Sequence, residues 1–347
     1  MTSPIYFNHT RANLTGSVEE PLDTVAISNR LVEIENNTRL LPLNSFELGL
    51  RNDKLALIGL EGSFYLTPEA ASSIMTVSGE PASFASSLGN LNNPSLEHRL
   101  ASFEPIYKNI QKTGSVLING DPRYNTADSV HGATYERVSN SKAFGHFCEL
   151  AQGPEALLTE LSIQGRQMRL GFQSPTMAEF VSNRKGKRTV ERLAKKLVGY
   201  NSEDRSTSLK AFLSTLLEWC TNGCTSFKEG HSIKARHTEN VIRNFTSRLA
   251  DLSEAYNSFN CQDVADKMQG LNNATMIEGI QALGSKLSAS EVRAYKQQAE
   301  DNPMLSAWDL LNEVNENSSL INGSYAQQER GEELATRLYS SRALQEA

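Results

Sequence analysis

The sequence predicts an α+β fold, on three observations. Short runs of alternating apolar and polar residues are bounded by turn dipeptides such as Asn52-Asp53 and Gly165-Arg166, the signature of hairpins. Capped helical signals are interspersed, beginning with Thr67-Pro68-Glu69. Beyond residue 239 the chain turns polar, rich in Ala, Glu, Gln and Asn, and helical in period. The expected architecture is a twisted, mainly antiparallel sheet built from hairpins across residues 47–238, with helices on one face. Residues 1–20 are expected as a mobile arm, 21–238 as the core domain, and 239–347 as a helical extension packed on that core or on a neighbour.

Taken in order, residues 23–35 place Val25, Leu31, Val32 and Ile34 in a weak helical or extended pattern. Residues 47–60 alternate around Asn52-Asp53 and predict a hairpin. Thr67 is suited to cap a helix with Pro68 in its first turn, ending near Gly79. A second short helix is expected from Pro81, then a loop over 88–95, then an amphipathic helix over 96–112 broken by Pro105. Strands are expected at 115–119 and 133–138, a helix at 140–152, and a hairpin from 157–163 and 167–172 around Gly165-Arg166. Residues 196–201 and 208–213 read as strands flanking a turn at Asp204-Arg205. Residues 211–221 also fit a helix, because Leu213, Leu216, Leu217 and Cys220 recur at three- and four-residue spacing. Residues 232–235 read as extended. Val241, Phe245, Leu249, Leu252 and Tyr256 then share a helical face, Ser288 and Glu291 have capping-box spacing, and Pro303 closes that helix. Helices at 306–317 and 325–344 complete the chain, and Trp219 and Trp308 read as core.

A chain of 347 residues is long enough for a substantial core, and 39% hydrophobic with 21% charged residues is globular in character. No run approaches the roughly 18 apolar residues of a membrane helix, and the first residues lack the basic and apolar regions of a signal peptide. Four cysteines are too few for a disulfide scaffold, so the expected location is the cytoplasm. The net charge of −6 argues against a protein coated in positive charge for nonspecific DNA binding. The distribution is more telling: residues 184–248 carry 14 Lys/Arg against 6 Asp/Glu, a net +8 that leaves −14 for the remainder. The positive charge peaks in residues 183–196, NRKGKRTVERLAKK, and a local basic segment can hold a polyanion. Arg184, Lys185, Lys187 and Arg188 are expected to supply phosphate contacts from a mobile loop, with Arg192, Lys195 and Lys196 continuing along one helical face. The competing reading is a solvated helix face.

A second concentration of polar groups comprises Asn201, Glu203, Cys220, Asn222, Arg236 and His237. Strand ends should bring them into one buried, hydrogen-bonded neighbourhood, with Arg236 and Glu203 as a charge-assisted pair. Cys220, Cys224, His231 and His237 approach zinc-finger spacing, but six residues between the pairs are too few, and zinc is expected to be absent. Cys220 with His237 as base, and Glu203 or Asn222 as orienter, would suit an activated thiol, yet Asn222-Gly223 more simply makes a turn. Neither GxxxxGK[ST] nor GxGxxG occurs, so no nucleotide cradle and no cofactor are expected. Glu203-Asp204 reads as a turn pair rather than a two-metal carboxylate site.

Several short blocks recur in a familiar order. They are Leu66-Thr67-Pro68-Glu69-Ala70 with Gly79-Glu80-Pro81 and Phe84, then Tyr135-Glu136-Arg137-Val138-Ser139-Asn140. Asn201-Ser202-Glu203 with Ser208-Leu209, Cys220-Thr221-Asn222-Gly223, Arg236-His237-Thr238, and Ala307-Trp308-Asp309-Leu310-Leu311-Asn312 with Ala335 follow. In these blocks the chain resembles the phage and plasmid-like proteins classed as domain of unknown function 932, over about residues 66–338. It departs from them at Glu203-Asp204-Arg205, which lacks a Gly, and in the additional Cys224. The resemblance implies a mobile-element setting. With the basic segment, it leads to the expectation of an accessory protein in DNA metabolism that binds or anneals single strands during recombination or replication. No catalytic residue is assigned, and self-association is left open. The alternatives are an anti-defence or host-takeover protein that binds a protein partner, and an enzyme using the Cys220/His237 cluster.

Overall fold

A computed structural model describes residues 11–81, 96–121, 123–153, 155–184, 187–204, 206–217, 232–318, 325–341 and 344. The first described elements are β1 (Arg11–Thr15) and α1 (Thr24–Asn36), whose first turn is capped by the Asp23 carboxylate accepting from the Val25 and Ala26 N–H groups. β2 (Thr38–Pro42) precedes the hairpin of β3 (Phe46–Arg51) and β4 (Lys54–Gly59). Its turn residues Asn52 and Asp53 both have positive φ, 48° and 56°, as the twist of a two-residue hairpin requires. β5 (Gly62–Leu66) leads to α2 (Pro68–Ser78), capped by Thr67 and ended by Gly79 at φ 87°. α3 (Leu96–Gln111) continues through Pro105 without ending. β6 (Ser115–Asn119), β7 (Thr126–His131) and α4 (Asn140–Gln152) follow. Then come β8 (Leu157–Gln164), β9 (Gln167–Arg184), β10 (Lys187–Ser202), β11 (Leu209–Leu217) and β12 (Ser232–Ala235).

These strands form two six-stranded sheets, where hairpin reasoning expected one. The first, ordered β1-β8-β9-β10-β11-β12, is antiparallel throughout. The second, ordered β2-β6-β7-β5-β4-β3, is mixed because β5 and β7 run parallel. α4 packs Phe144, Phe147 and Leu150 on the first sheet, closely enough that a Cβ at Gly199 would lie 2.8 Å from the Phe147 ring. α2 and α3 cover the second sheet with Ile74, Met75, Phe103 and Tyr107.

The C-terminal part is helical: α5 (Val241–Thr246), α6 (Leu249–Ser258), α7 (Cys261–Asn273), α8 (Met276–Leu283), α9 (Ala289–Asp301), α10 (Ala307–Ser318) and α11 (Tyr325–Tyr339). The Ser288 capping box is formed, with Glu291 Oε2 accepting from the Ser288 N–H at 2.7 Å. The helices from α7 onward share one core with Phe180 and Leu193 of the long β9–β10 hairpin, and Phe180 meets the fully buried Trp308 edge-on at 5.1 Å.

Several expectations require correction. Residues 11–15 of the expected mobile arm are a paired edge strand. The strand expected over 133–138 lies instead at Thr126–His131, where β7 finds partners on both sides. The shared face of residues 241–256 is divided between α5 and α6; of the two readings for residues 208–221, Leu209–Leu217 takes the strand. The short helix and loop expected over residues 81–95 fall almost wholly outside the described residues.

Candidate functional site

The two sheets meet at a buried polar junction built on Arg166, at the β8–β9 turn. Its Nε donates to Asp128 Oδ2 of β7 at 2.7 Å, its Nη2 donates to the same oxygen, and its Nη1 donates to Thr38 Oγ1 of β2 at 3.0 Å. Gly165 beside it has φ 58°, so the chain reverses tightly and aims Arg166 at the second sheet. Glu203 follows β10 on the other side of Arg166. Its Oε2 accepts from Arg137 Nη2 at 2.9 Å and lies 3.7 Å from Arg166 Nη1. Its Oε1 accepts the Asn140 N–H at 2.7 Å, placing a negative charge at the N-terminus of α4. Asn201 Nδ2 donates to Val138 O and to Asn140 Oδ1. Tyr135 donates its hydroxyl to Glu203 O at 2.9 Å, and its ring stacks between His131 at 3.8 Å and His237 at 5.7 Å.

Of the expected central cluster, Asn201, Glu203 and His237 therefore come together, through Tyr135 and Asn140. Cys220 and Asn222 lie outside the described residues, as do Trp219, Cys224 and His231. Arg236 is a correction: it is exposed, and the guanidinium groups that hold Glu203 belong to Arg137 and Arg166. An exposed arginine after the short edge strand β12 keeps its hydration, whereas a buried carboxylate takes cations within reach. Asp128, Tyr135, Arg137, Asn140 and Arg166 were missed as site residues. Tyr135, Arg137 and Asn140 stand out only in the block at residues 135–140, by resemblance and not by chemistry; Arg166 stands out only as a turn residue, and Asp128 not at all. Two guanidinium groups and two carboxylates bind each other here, which suits a clasp between sheets rather than proton transfer. Beside it a cleft of about 480 Å³ opens between α2 and the first sheet, lined by Glu69, Ser72, Thr76, Val130, Gln167 and Asp204.

The basic segment is also corrected. Residues 183–184 end β9 and residues 187–196 belong to β10, so the segment's described residues are strand, not helix. Cross-strand register pairs Arg184 with Lys187, Asn183 with Arg188 and Glu179 with Arg192. In a strand, residues 192 and 196 share a face and 195 takes the other. Arg188 is exposed; Arg192 is exposed but ion-paired, its Nε 2.9 Å from Glu179 Oε1. Lys195 is half-buried and donates to Tyr256 O at 3.0 Å. Lys196 is fully buried and donates to Glu160 Oε1, so it offers nothing to a polyanion. Lys185 is outside the described residues.

Lys196 belongs to a second buried network. Glu160 also accepts from Arg169 Nη1 at 2.6 Å, and Arg169 Nε donates to the Tyr200 hydroxyl at 3.1 Å. Lys210 lies over the Tyr200 ring, 4.4 Å from its centre. Burial alone would raise the Glu160 pKa; the charges of Lys196 and Arg169 outweigh it and hold the carboxyl down at about 2. Lys196 reaches Glu160 across Gly171, where a Cβ would lie 2.5 Å from Lys196 Cε.

Among the described residues, no group of three or more His, Cys, Asp or Glu could hold a metal ion, and no helix is long and apolar enough to cross a membrane. No protein-family model, curated protein or solved structure matches the chain.

Proposed function

We propose that this protein is a phage- or plasmid-type accessory factor of DNA metabolism that binds single-stranded nucleic acid through the tip of the β9–β10 hairpin. The observation that carries the reading is the placement of the cations. Arg184 ends the 18-residue β9, and Lys187 and Arg188 open the 16-residue β10, with Lys185 between them in sequence. Lower on the arm, Phe180 and Leu193 are held in the helical core, which gives the hairpin a rigid mount. Strands of nucleic acid are held first through their phosphates, and such contacts release counterions. The likeness to the domain of unknown function 932 class supplies the mobile-element setting.

The test is affinity for a short oligonucleotide across a salt series. Four phosphate contacts give a slope of about −2.8 in log K against log salt for a single strand. Changing Arg184, Lys185, Lys187 and Arg188 together to Ala should abolish most of that slope while leaving the thermal midpoint within about 2 °C. Arg192→Ala should leave the slope unchanged, because Glu179 already neutralises that guanidinium. Absence of binding by the wild type at low salt would sink the reading and favour a protein partner.

A further inference from the structure

We infer that β3, the edge strand of the second sheet, pairs antiparallel with β3 of a second copy of the chain about a twofold axis at Gly49. The contact is independent of the nucleic-acid reading above.

β3 stands last in its sheet, so among the described residues one side of its backbone lacks a neighbouring strand. The hairpin decides which groups face that side. Its two-residue turn makes Arg51 and Lys54 the closing pair, so Glu47, Gly49 and Arg51 bond to β4. Phe46, Leu48 and Leu50 then turn their N–H and C=O groups outward. Those of Phe46 are taken: its N–H donates to Leu43 O, and its carbonyl accepts from Tyr107 Oη and Gln111 Nε2. Those of Leu48 and Leu50 meet no further strand among the described residues. An antiparallel copy centred on Gly49 sets Leu48 opposite Leu50 of the copy, where each pair exchanges both main-chain hydrogen bonds. At the intervening positions, where facing Cα atoms come within about 4.5 Å, the same register sets Glu47 opposite Arg51 and Gly49 opposite itself. Glu47 and Arg51 are both exposed. Glu47 Oε1 accepts from Gln111 Nε2 at 3.3 Å, which leaves the other oxygen for a guanidinium. Registers centred on Leu48 or Leu50 keep the hydrogen-bonding pattern but set Glu47 opposite Gly49 or Asp53, so the Gly49 register is the one that pairs opposite charges. Charges on an edge strand commonly discourage pairing; these two, of opposite sign and equally spaced about Gly49, make the edge self-complementary. Ile58 of β4, 38% exposed, lies over Gly49, where a Cβ would sit 3.0 Å from its Cδ1. With no side chain at the axis, Ile58 of each copy can meet the other across the glycine pair. α3 reaches the edge at the Phe46 end, and the twofold axis sends the second α3 to the opposite end.

The experiment is sedimentation velocity of the full chain over a concentration series up to about 200 μM. The wild type should form a reversible dimer with a Kd on the order of 10–100 μM, because a contact along one short strand is at the small end of interfaces. Glu47→Lys and Arg51→Glu each set like charges opposite each other on both sides of the axis, and each should weaken the dimer by about tenfold. An equimolar mixture of the two variants should restore it, since each then meets its opposite in the other chain. The doubly reversed chain, Glu47→Lys with Arg51→Glu, should dimerise like the wild type. Leu60→Ser, at the fully exposed β4–β5 turn outside the pairing, should leave the dimer unchanged. A wild type that stays monomeric throughout the series overturns the inference. So does a dimer that both single reversals leave intact, or one they weaken without recovery in the mixture. A dimer dissolved by Leu60→Ser overturns it too, by assigning association to another surface.

Discussion

Arg166→Ala should lower the stability of the protein by about 3–5 kcal/mol, seen as a fall in the urea midpoint with little change in the m value. The guanidinium is buried and is the cation that meets Asp128, which is itself only 7% exposed. Its loss leaves that carboxylate without its charge partner and removes the link to Thr38 and the ion pair with Glu203. Because Asp128 and Thr38 belong to one sheet and Arg166 to the other, the loss also loosens the sheets from each other. Arg236→Ala is the control. As an exposed residue it should alter stability by no more than about 0.5 kcal/mol, although residue type and sequence position single it out just as strongly. Equal effects of the two substitutions would show that the junction is not a clasp.

Glu160→Gln should cost a similar amount, about 3–5 kcal/mol, because it leaves the fully buried Lys196 and the buried Arg169 without their shared carboxylate. The effect should depend on pH in a defined direction. Burial opposes ionisation of Glu160, but Lys196 and Arg169 prevail and lower its pKa from 4.5 to about 2 in the folded protein. A depressed folded pKa means that the stabilisation is complete above the unfolded value and disappears as pH falls through the folded one. The wild type should therefore lose of order 3 kcal/mol relative to Glu160→Gln on acidification from about pH 5 to below about pH 2. Parallel urea curves for the two proteins over that range would contradict the assignment. Gly171→Ala should resemble Glu160→Gln at neutral pH, since its methyl group would occupy the path by which Lys196 reaches Glu160.

Features governed by neighbouring residues were legible in the sequence. The Asn52-Asp53 turn, the helix from Pro68 to its Gly79 end, the Gly165 turn and the Ser288 capping box each follow from local backbone geometry. The α+β class follows from their sum. Less legible was anything that depends on a distant partner. Lys196 stands beside another lysine and reads as a surface cation, yet its counter-charge is 36 residues away in Glu160. Residues 192, 195 and 196 match helical spacing, but pairing with β9 overrides a spacing carried by charge alone. Glu203 was correctly singled out and wrongly partnered. Arg236 is near it in sequence, whereas Arg137, 66 residues earlier, is what meets it in space. The division of the strands into two sheets was equally hidden, because alternation marks a strand and says nothing of its neighbours.

The pairing of β1 with β8 has a consequence for how the chain is made. Arg11 lies opposite Gln164 and Thr15 opposite Glu160, while every strand of the second sheet falls between them in sequence. One sheet is thus nested inside a loop of the other. A chain growing from its N-terminus releases β1 long before β8 exists, and completes the six strands of the second sheet in the interval. If that sheet forms first, it draws Thr38 and His131 to within one sheet's width and shortens the loop that β1 must close, lowering the entropy lost on closure. β1, made before the whole of the second sheet, can then be seated only once β8 has followed it.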